Sequence, residues 1–281
     1  MNLFGLKPER GYSQNFLKST HISNKFVDQL SLNPNSLVVE IGPGPGIITR
    51  SIIKRDLLKV IGVEKDKRFE PILAQLSDSS NNKFDYILDD ATKDKDLSLT
   101  NKILDKLGND ISIGNVNIVG NLPFSIGGHI LGQYIYQSLQ SEGLFRYPTQ
   151  INFMFSEPMG RKLLDTKNRT KFGTLVRTAF LIKESFVVPK GNFNPQPQID
   201  VIALEFRPRP SPFKNKLEID YYDTLLKHIY RFPNKKASST MKRQLEYLEQ
   251  VGISPETKLS TLTISSLVEL SKLLMANNVK L

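Results

Sequence analysis

The 281-residue sequence contains no cysteine and only three histidines. The first absence excludes disulfides and thiolate metal ligands, and the second argues against a histidine-rich metal site. No apolar run approaches the roughly 20 residues that a helix needs to cross a bilayer. The first residues lack the long apolar stretch of a secretory signal. The sequence therefore predicts a protein that has no bound metal, is not secreted and does not span a membrane, and we expect a monomer.

Acidic residues are scarce at the C-terminal end. After Phe206, 13 Lys and Arg stand against 7 Asp and Glu, so this segment carries +6 of the net charge of +10. No acid lies between Asp223 and Glu246, where six cations are found: Lys227, Arg231, Lys235, Lys236, Lys242 and Arg243. Such a patch suits a nucleic acid, because each neutralised phosphate releases counterions. A solvated helical face that keeps the protein soluble is the alternative.

Short apolar runs alternate with helical patterns from Leu37 to about Pro208. Most of these runs are continuously apolar, as expected for parallel strands covered on both faces. We predict an α/β fold, a Rossmann-like doubly wound sheet that is mostly parallel, with an antiparallel pair formed by the last two runs at one edge. The predicted strands are Leu37–Ile41, Lys59–Glu64, Phe84–Leu88, Val116–Gly120, Gln150–Phe155, Ser185–Val188 and Val201–Phe206.

Three prolines between Arg207 and Phe213 interrupt this alternation and disfavour any regular element. Beyond them, Tyr221, Leu225 and Ile229 recur at helical spacing. We therefore predict two domains, residues 1–208 and a small, basic, helical domain of residues 209–281.

A glycine-rich loop follows the first long strand. Gly42, Gly44 and Gly46 stand at alternate positions, where missing Cβ atoms allow a tight turn and the close approach of a ligand. Glu64, which ends the next strand, is placed to accept both hydroxyls of a ribose. This spacing favours S-adenosylmethionine over a pyrophosphate-containing dinucleotide. A nicotinamide or flavin enzyme and a purely structural glycine turn remain as alternatives.

Asp89, Asp90 and Ala91 end the third strand, where a carboxylate would accept from a cofactor's adenine amine. An ordinary acid at a strand end is the equally weighted alternative.

The tetrapeptide Asn121-Leu122-Pro123-Phe124 ends the next strand, at the edge where ligands collect in such sheets. An adenine amine is a poor nucleophile, and the carbonyls of Asn121 and Leu122 would accept hydrogen bonds from it. Pro123 would stiffen the turn and Phe124 would stack on a flipped base. Phe193, on a proline-rich loop, would cover the other face of the base. A simple turn with an apolar plug, and a core role for Phe193, are the alternatives.

Taken in order, these segments resemble the ribosomal RNA adenine dimethyltransferases over nearly the whole chain. Seven segments carry the resemblance: Gly11-Tyr-Ser-Gln-Asn-Phe-Leu17, Val39-Glu-Ile-Gly-Pro-Gly-Pro-Gly-Ile-Ile-Thr49, Val63-Glu-Lys-Asp66, Asn121-Leu-Pro-Phe124, Phe155-Ser-Glu-Pro-Met-Gly-Arg161, Lys171-Phe-Gly-Thr-Leu175 and Phe193-Asn-Pro-Gln-Pro-Gln-Ile-Asp200. The mitochondrial branch, also called mitochondrial transcription factor B, is the most similar.

The resemblance implies a class I methyltransferase fold, a mitochondrial location and S-adenosylmethionine as cofactor. It implies that the substrate is two adjacent adenines in a hairpin loop of small-subunit ribosomal RNA, free or in a pre-ribosomal particle. By motif position, the expected cofactor contacts are Gln14, Asn15, Leu17, Gly42, Gly44, Glu64, Lys65, Asp90, Ala91 and Asn121. A transcription or ribosome-assembly factor that keeps the fold with little activity, and works with the mitochondrial transcription machinery, is the alternative.

Three positions depart from the family pattern. Asp89 replaces a usual Gly and adds a carboxylate near the expected adenine pocket. Ser156 and Glu157 stand where Gln and Lys are usual. None of the three removes a catalytic group.

Overall fold

The computed structural model describes residues 15–108, 112–122, 126–167 and 169–281. Three residues to which the sequence assigns roles, Gln14, Pro123 and Phe124, lie outside the described residues.

The described residues alternate between strands and helices along most of the chain. The strands are β1 (Phe16–Leu17), β2 (Ser36–Ile41), β3 (Lys59–Glu64), β4 (Phe84–Leu88), β5 (Asn115–Asn121), β6 (Thr149–Ser156), β7 (Phe180–Val188), β8 (Phe193–Asn194) and β9 (Val201–Pro208). The α-helices are α1 (Thr20–Val27), α2 (Ile47–Ile52), α3 (Glu70–Asp78), α4 (Ser98–Asp105), α5 (Gly127–Gln140), α6 (Glu157–Leu164), α7 (Lys171–Ala179), α8 (Lys216–Tyr230), α9 (Ala237–Thr240), α10 (Leu245–Gln250) and α11 (Ile264–Ala276).

A seven-stranded sheet organises the fold, with the order β4-β3-β2-β5-β6-β9-β7. The first five strands pair in parallel, and β9 runs antiparallel to both β6 and β7. The predicted α/β class and the antiparallel pair at this edge are both confirmed. Helices connect the parallel strands, as such connections require.

The sheet is covered on both faces, which explains the continuously apolar runs. Val38 and Val60 belong to one buried cluster, which includes residues of α1, α2 and α3. Val39 and Ile61, their neighbours in sequence, belong to the other cluster, to which α4, α5 and α7 contribute. Successive side chains of a strand point to opposite faces, so each strand contributes to both layers.

The start of β7 differs from the prediction. β7 begins at Phe180, five residues before the predicted start at Ser185. Polar residues at 183–185 hide the strand in the sequence, but an edge strand tolerates them because one side is open to solvent. A register shift between Glu184 and Phe186 further interrupts the alternation.

Several helices begin at residues whose side chains cap the first turn. The side-chain oxygens of Thr170, Asn215 and Thr263 accept backbone N–H groups three residues later at 3.0, 3.0 and 3.1 Å. These caps satisfy donors that have no partner inside the helix.

The C-terminal segment is helical, as its spacing predicts. Its helix α8 packs against α7, where the hydroxyls of Tyr222 and Thr178 lie 3.0 Å apart. Tyr222 and Leu225 belong to the same buried cluster as Phe180 of the sheet. The division into two domains stays a prediction, because these helices share a core with the sheet. No helix within the described ranges is both long and apolar enough to cross a membrane.

A tight contact between α6 and β9 generates a stability prediction. A Cβ added at Gly160 would lie 2.1 Å from Cγ2 of Ile202, a fully buried residue of a strand that has neighbours on both sides. We expect Gly160→Ala to lower the free energy of unfolding by about 1–3 kcal/mol through overpacking. Thermal unfolding measures this. Gly191→Ala is the matched control, since a Cβ there meets nothing within 4 Å. Equal melting temperatures for the two variants would contradict the prediction.

Candidate active site

A cavity of about 250 Å³ lies at the carboxyl ends of the parallel strands. Loops after β2, β3, β4 and β5 form most of its wall, and Asn15, Phe16 and Leu17 cover part of it. This is the edge at which ligands bind in open α/β sheets. Most of the residues predicted to bind cofactor line it: Asn15, Leu17, Gly42, Gly44, Glu64, Lys65, Asp90, Ala91 and Asn121.

The glycine loop adopts a backbone that side chains disfavour. Gly42, Gly44 and Gly46 have φ values of +69°, +51° and +76°. A Cβ at Gly42 would meet no atom within 4 Å. Because Gly42 lines the cavity, this open space is where a ligand approaches the backbone. A Cβ at Gly44 would come within 3.0 Å of the Phe16 ring, so β1 and the glycine loop are in close contact.

Glu64 fixes the glycine loop to the end of β3. Its carboxylate oxygens accept hydrogen bonds from the backbone N–H groups of Gly44 at 2.9 Å and Asp66 at 2.8 Å. Burial raises the pKa of this carboxyl above its ordinary value. A carboxylate can accept about four hydrogen bonds, so Glu64 keeps acceptor capacity for a ligand hydroxyl.

A second buried carboxylate, Glu40, was not singled out from the sequence. Its side chain lines the cavity and accepts a hydrogen bond of 2.6 Å from the hydroxyl of Thr49. Burial, with a smaller contribution from the charge of Glu64, raises the pKa of Glu40 from 4.5 to about 7. The sequence does contain one indication of this site: an acidic residue within an apolar strand, where charged residues are seldom found.

The two aspartates after β4 are held by different cations. Asp90 forms an ion pair with Lys65 at 3.0 Å and accepts hydrogen bonds from the backbone and hydroxyl of Thr92. Asp89, which departs from the family pattern, pairs with Lys102 on α4 at 2.6 Å. This hydrogen bond with Lys102 lowers the pKa of Asp89. The extra carboxylate at this position is therefore compensated from within the chain.

The cavity is acidic although the chain is basic. Five carboxylates line it: Glu40, Glu64, Asp66, Asp89 and Asp90. Lys65 is the single cation among the described residues of the wall. Such a wall suits a ligand with net positive charge and disfavours a pyrophosphate. S-adenosylmethionine fits this donor set, because its sulfonium and ammonium groups outweigh its one carboxylate.

Asn121 stands at the end of β5, where its amide has a defined orientation. Its Nδ2 donates a hydrogen bond of 2.8 Å to the main-chain oxygen of Asn15. The side-chain oxygen Oδ1 accepts no hydrogen bond from the described residues and can accept one from a substrate. Leu122 follows, is buried and also lines the cavity.

The segment before α1 meets the loop that carries Phe193. β1 pairs antiparallel with β8, so that Leu17 faces Phe193, and the N–H of Lys18 donates to the oxygen of Asn192 at 2.8 Å. The Phe193 side chain is 1% exposed and forms part of the cavity wall. The fold thus brings Asn121 and Phe193 to one cavity, while the stacking role of Phe193 stays a prediction.

The six cations predicted to bind RNA lie away from this wall, on the C-terminal helices and turns. Two of them form ion pairs. Lys227 pairs at 2.8 Å with Asp223, one helical turn earlier, and Lys236 pairs with Glu256, which is distant in sequence. The other four, Arg231, Lys235, Lys242 and Arg243, form no ion pair within the described part of the chain. Among the described residues, no group of three or more His, Asp or Glu side chains is arranged to hold a metal ion.

The sheet order, the glycine loop and the acidic cavity together define a class I methyltransferase. Comparison with known proteins identifies the family. The family model Ribosomal RNA adenine dimethylase matches residues 5–276. The chain therefore belongs to the ribosomal RNA adenine dimethylase family and is an enzyme of that class.

Two similar proteins belong to the mitochondrial branch of this family. Dimethyladenosine transferase 1, mitochondrial, of Xenopus tropicalis is 30% identical over 84% of this chain and 68% of its own length. Mitochondrial dimethyladenosine transferase 1 of Bos taurus is 30% identical over 94% of this chain and 81% of its own. These relatives confirm the mitochondrial location predicted from the resemblance. The crystal structure of a dimethyladenosine transferase from Plasmodium falciparum shares the fold, with a TM-score of 0.75 and 17% identity over 94% of this chain and 98% of that one.

The raised pKa of Glu40 generates a pH prediction. The folded chain holds this proton up to about pH 7, whereas the unfolded chain releases it near pH 4.5. Stability therefore falls as pH rises through this window, because the folded state binds more protons. The loss in the free energy of unfolding should reach about 3 kcal/mol at most by pH 8. We expect Glu40→Gln to remove this loss, because the glutamine does not titrate and can still accept a hydrogen bond from Thr49.

Denaturant unfolding of both proteins at pH 5 and pH 8 measures the effect. The variant should gain stability relative to the parent chain as pH rises, whereas exposed Glu249→Gln should not. If the two proteins differed in free energy of unfolding by the same amount at both pH values, the pKa of Glu40 would not be raised in the folded chain.

Proposed function

We propose that this enzyme transfers methyl groups from S-adenosylmethionine to the N6 amine of two adjacent adenines in a hairpin loop of small-subunit ribosomal RNA. One observation carries the proposal. The Asn121 amide is oriented by Asn15 at an acidic cavity, and its oxygen has no partner among the described residues. The relatives are dimethyladenosine transferases, and dimethyladenosine is the product of the reaction proposed here.

The donor is assigned from the chemistry of the wall. S-adenosylmethionine supplies a methyl group activated on a sulfonium. Glu64, at the end of β3, is placed to accept from ribose hydroxyls, and Asp90 is placed to accept from the adenine amine of the donor. The open backbone at Gly42 admits the ligand.

The reaction needs hydrogen-bond acceptors and not a strong base. An adenine amine has its lone pair delocalised into the ring. Acceptance of its two hydrogens by Oδ1 of Asn121 and the main-chain oxygen of Leu122 draws the nitrogen towards tetrahedral geometry, with the lone pair facing the donor. Phe193 in the wall would cover one face of the flipped base.

We assign the methyltransferase to residues 1–208 and RNA contact to the basic helical residues 209–281. The protein is proposed to act on ribosomal RNA or a pre-ribosomal particle. A transcription or assembly factor with little activity would need neither the glycine backbone nor the oriented amide, so their presence favours the enzyme.

The oriented amide generates a prediction about catalysis. Asn121→Ala removes the acceptor, and we expect methyl transfer to fall by about a hundredfold or more, while RNA affinity stays the same. Asn121→Asp should be equally impaired, because a carboxylate cannot donate to the oxygen of Asn15 and the two acceptors repel each other. Labelled methyl transfer and filter binding measure the two quantities. Asn101→Ala, on the exposed surface of α4, is the control. Full activity in Asn121→Ala would remove the assigned role.

The function itself is tested with labelled S-adenosylmethionine, small-subunit ribosomal RNA and partly assembled subunits. Digestion to nucleosides and mass analysis should reveal dimethyladenosine, at two adjacent positions in one hairpin loop. Tight donor binding without transfer to any of these substrates, or methylation confined to large-subunit RNA, would contradict the proposal.

A further inference from the structure

Phe232 is an exposed aromatic residue just beyond the end of α8. Its side chain is 42% exposed, and it is the one described phenylalanine that is largely open to solvent. Buried phenylalanines are explained by the core, whereas an exposed one in a basic segment has no such explanation. It lies in the part of the chain that contains no acid between Asp223 and Glu246.

Two cations hold the Phe232 ring. The Lys235 ammonium lies 4.5 Å from the ring centroid and the Arg231 guanidinium carbon lies 5.5 Å from it. Both are within the range of a cation–π contact. Neither cation forms an ion pair with a described residue, so both charges stay available to a phosphate. An exposed aromatic ring with two cations over it combines the two groups, aromatic and cationic, that bind unpaired nucleotides.

The turn that presents Phe232 is fixed by a second segment. The N–H groups of Leu259 and Ser260 donate to the oxygens of Lys235 and Pro233 at 3.1 and 2.8 Å. The N–H of Lys235 also donates to the oxygen of Phe232 at 3.0 Å. The platform is therefore formed before a ligand arrives, which reduces the entropy lost on binding.

A series of packing contacts connects this turn to the strand end that carries Asn121. α5 begins a few residues after Asn121, and a Cβ added at its Gly128 would lie 3.0 Å from Met159 of α6 and 3.9 Å from Phe172 of α7. Two residues further along α7, the Thr174 hydroxyl lies 2.6 Å from the hydroxyl of Tyr230, the last residue of α8. Contacts thus lead from the catalytic strand end through the starts of α6 and α7 to the turn.

We propose that Phe232, with Arg231 and Lys235, is a stacking site for an unpaired base of the substrate RNA, separate from the catalytic cavity. The proposal rests on the proposed function, since it takes the RNA hairpin as ligand. The ring stacks on a base outside the target adenines, and the two cations contact the adjoining phosphates. Because the turn is connected to the cavity by packed helices, an extra stacked base there would fix the hairpin loop relative to Asn121.

The chain contains no tryptophan, which makes a direct test available. Phe232→Trp introduces a single indole, whose fluorescence is quenched when a base stacks on it. Leu217→Trp is the matched control, because Leu217 is 68% exposed at the opposite end of α8. Titration with a small-subunit hairpin RNA should quench Phe232→Trp and leave Leu217→Trp nearly unchanged. Inorganic polyphosphate, which carries charge without bases, should quench neither.

Affinity measurements separate stacking from charge. Phe232→Ala should weaken binding of the hairpin about 5- to 150-fold with no change in the salt slope. Phe232→Tyr should restore most of the affinity. Lys235→Ala should weaken binding and lower the slope by about one. Changing both Lys235 and Lys236 to Ala should lower the salt slope further, but by less than one additional unit, because Lys236 already pairs with Glu256.

The outcomes distinguish the two proposals. Dimethylation by the parent chain together with full RNA affinity in Phe232→Ala would overturn the stacking site and leave the proposed function standing. Quenching of Phe232→Trp by RNA without any methyl transfer would overturn the function and support the stacking site. Equal quenching of both tryptophan variants, or none at saturating RNA, would also overturn the stacking site.

Discussion

The parallel pairing of β2 between β3 and β5 is the constraint on which the site depends. Val39 pairs with Ile61 on one side and with Ile118 on the other, so the three strands end at the same edge. Glu40, Glu64 and Asn121 reach one cavity only for this reason. A slip of one residue would move these strand ends past one another and turn the side chains at the ends to the opposite face of the sheet. The chemistry of the cavity therefore follows from hydrophobic packing in the sheet.

Charge is separated within the molecule. The chain carries +10 overall, yet its cavity wall holds five carboxylates against one described cation. In the proposed function, the cationic donor and the anionic RNA therefore bind to different surfaces. Contacts between distant parts of the sequence complete the cavity: Asn121 donates to the main-chain oxygen of Asn15, and β1 pairs with the strand that carries Phe193. Residues before α1 therefore lie at the same cavity as Asn121, the proposed catalytic residue, which comes more than a hundred positions later.

Much of this arrangement is predictable from sequence, because burial and strand ends leave a clear pattern. β3 and β4 have the predicted bounds, and the glycine loop and Asn121 lie at one cavity as expected. The start of β7 was misplaced because an edge strand tolerates polar residues. Contacts between distant residues leave no pattern at all: nothing in the sequence reveals that Lys236 pairs with Glu256, that Asp89 is compensated by Lys102, or that Phe232 is exposed.

In the proposed mechanism, Oδ1 of Asn121 accepts a hydrogen bond from the adenine amine while the main-chain oxygen of Asn15 holds the Asn121 amide in place. The most direct measurement is an experimental structure of the chain with S-adenosylhomocysteine and the hairpin RNA. The account predicts an adenine N6 about 3 Å from Oδ1 of Asn121, with Nδ2 still donating to the oxygen of Asn15. An adenine bound outside the cavity, or an Asn121 amide turned so that Nδ2 faces the base, would contradict it.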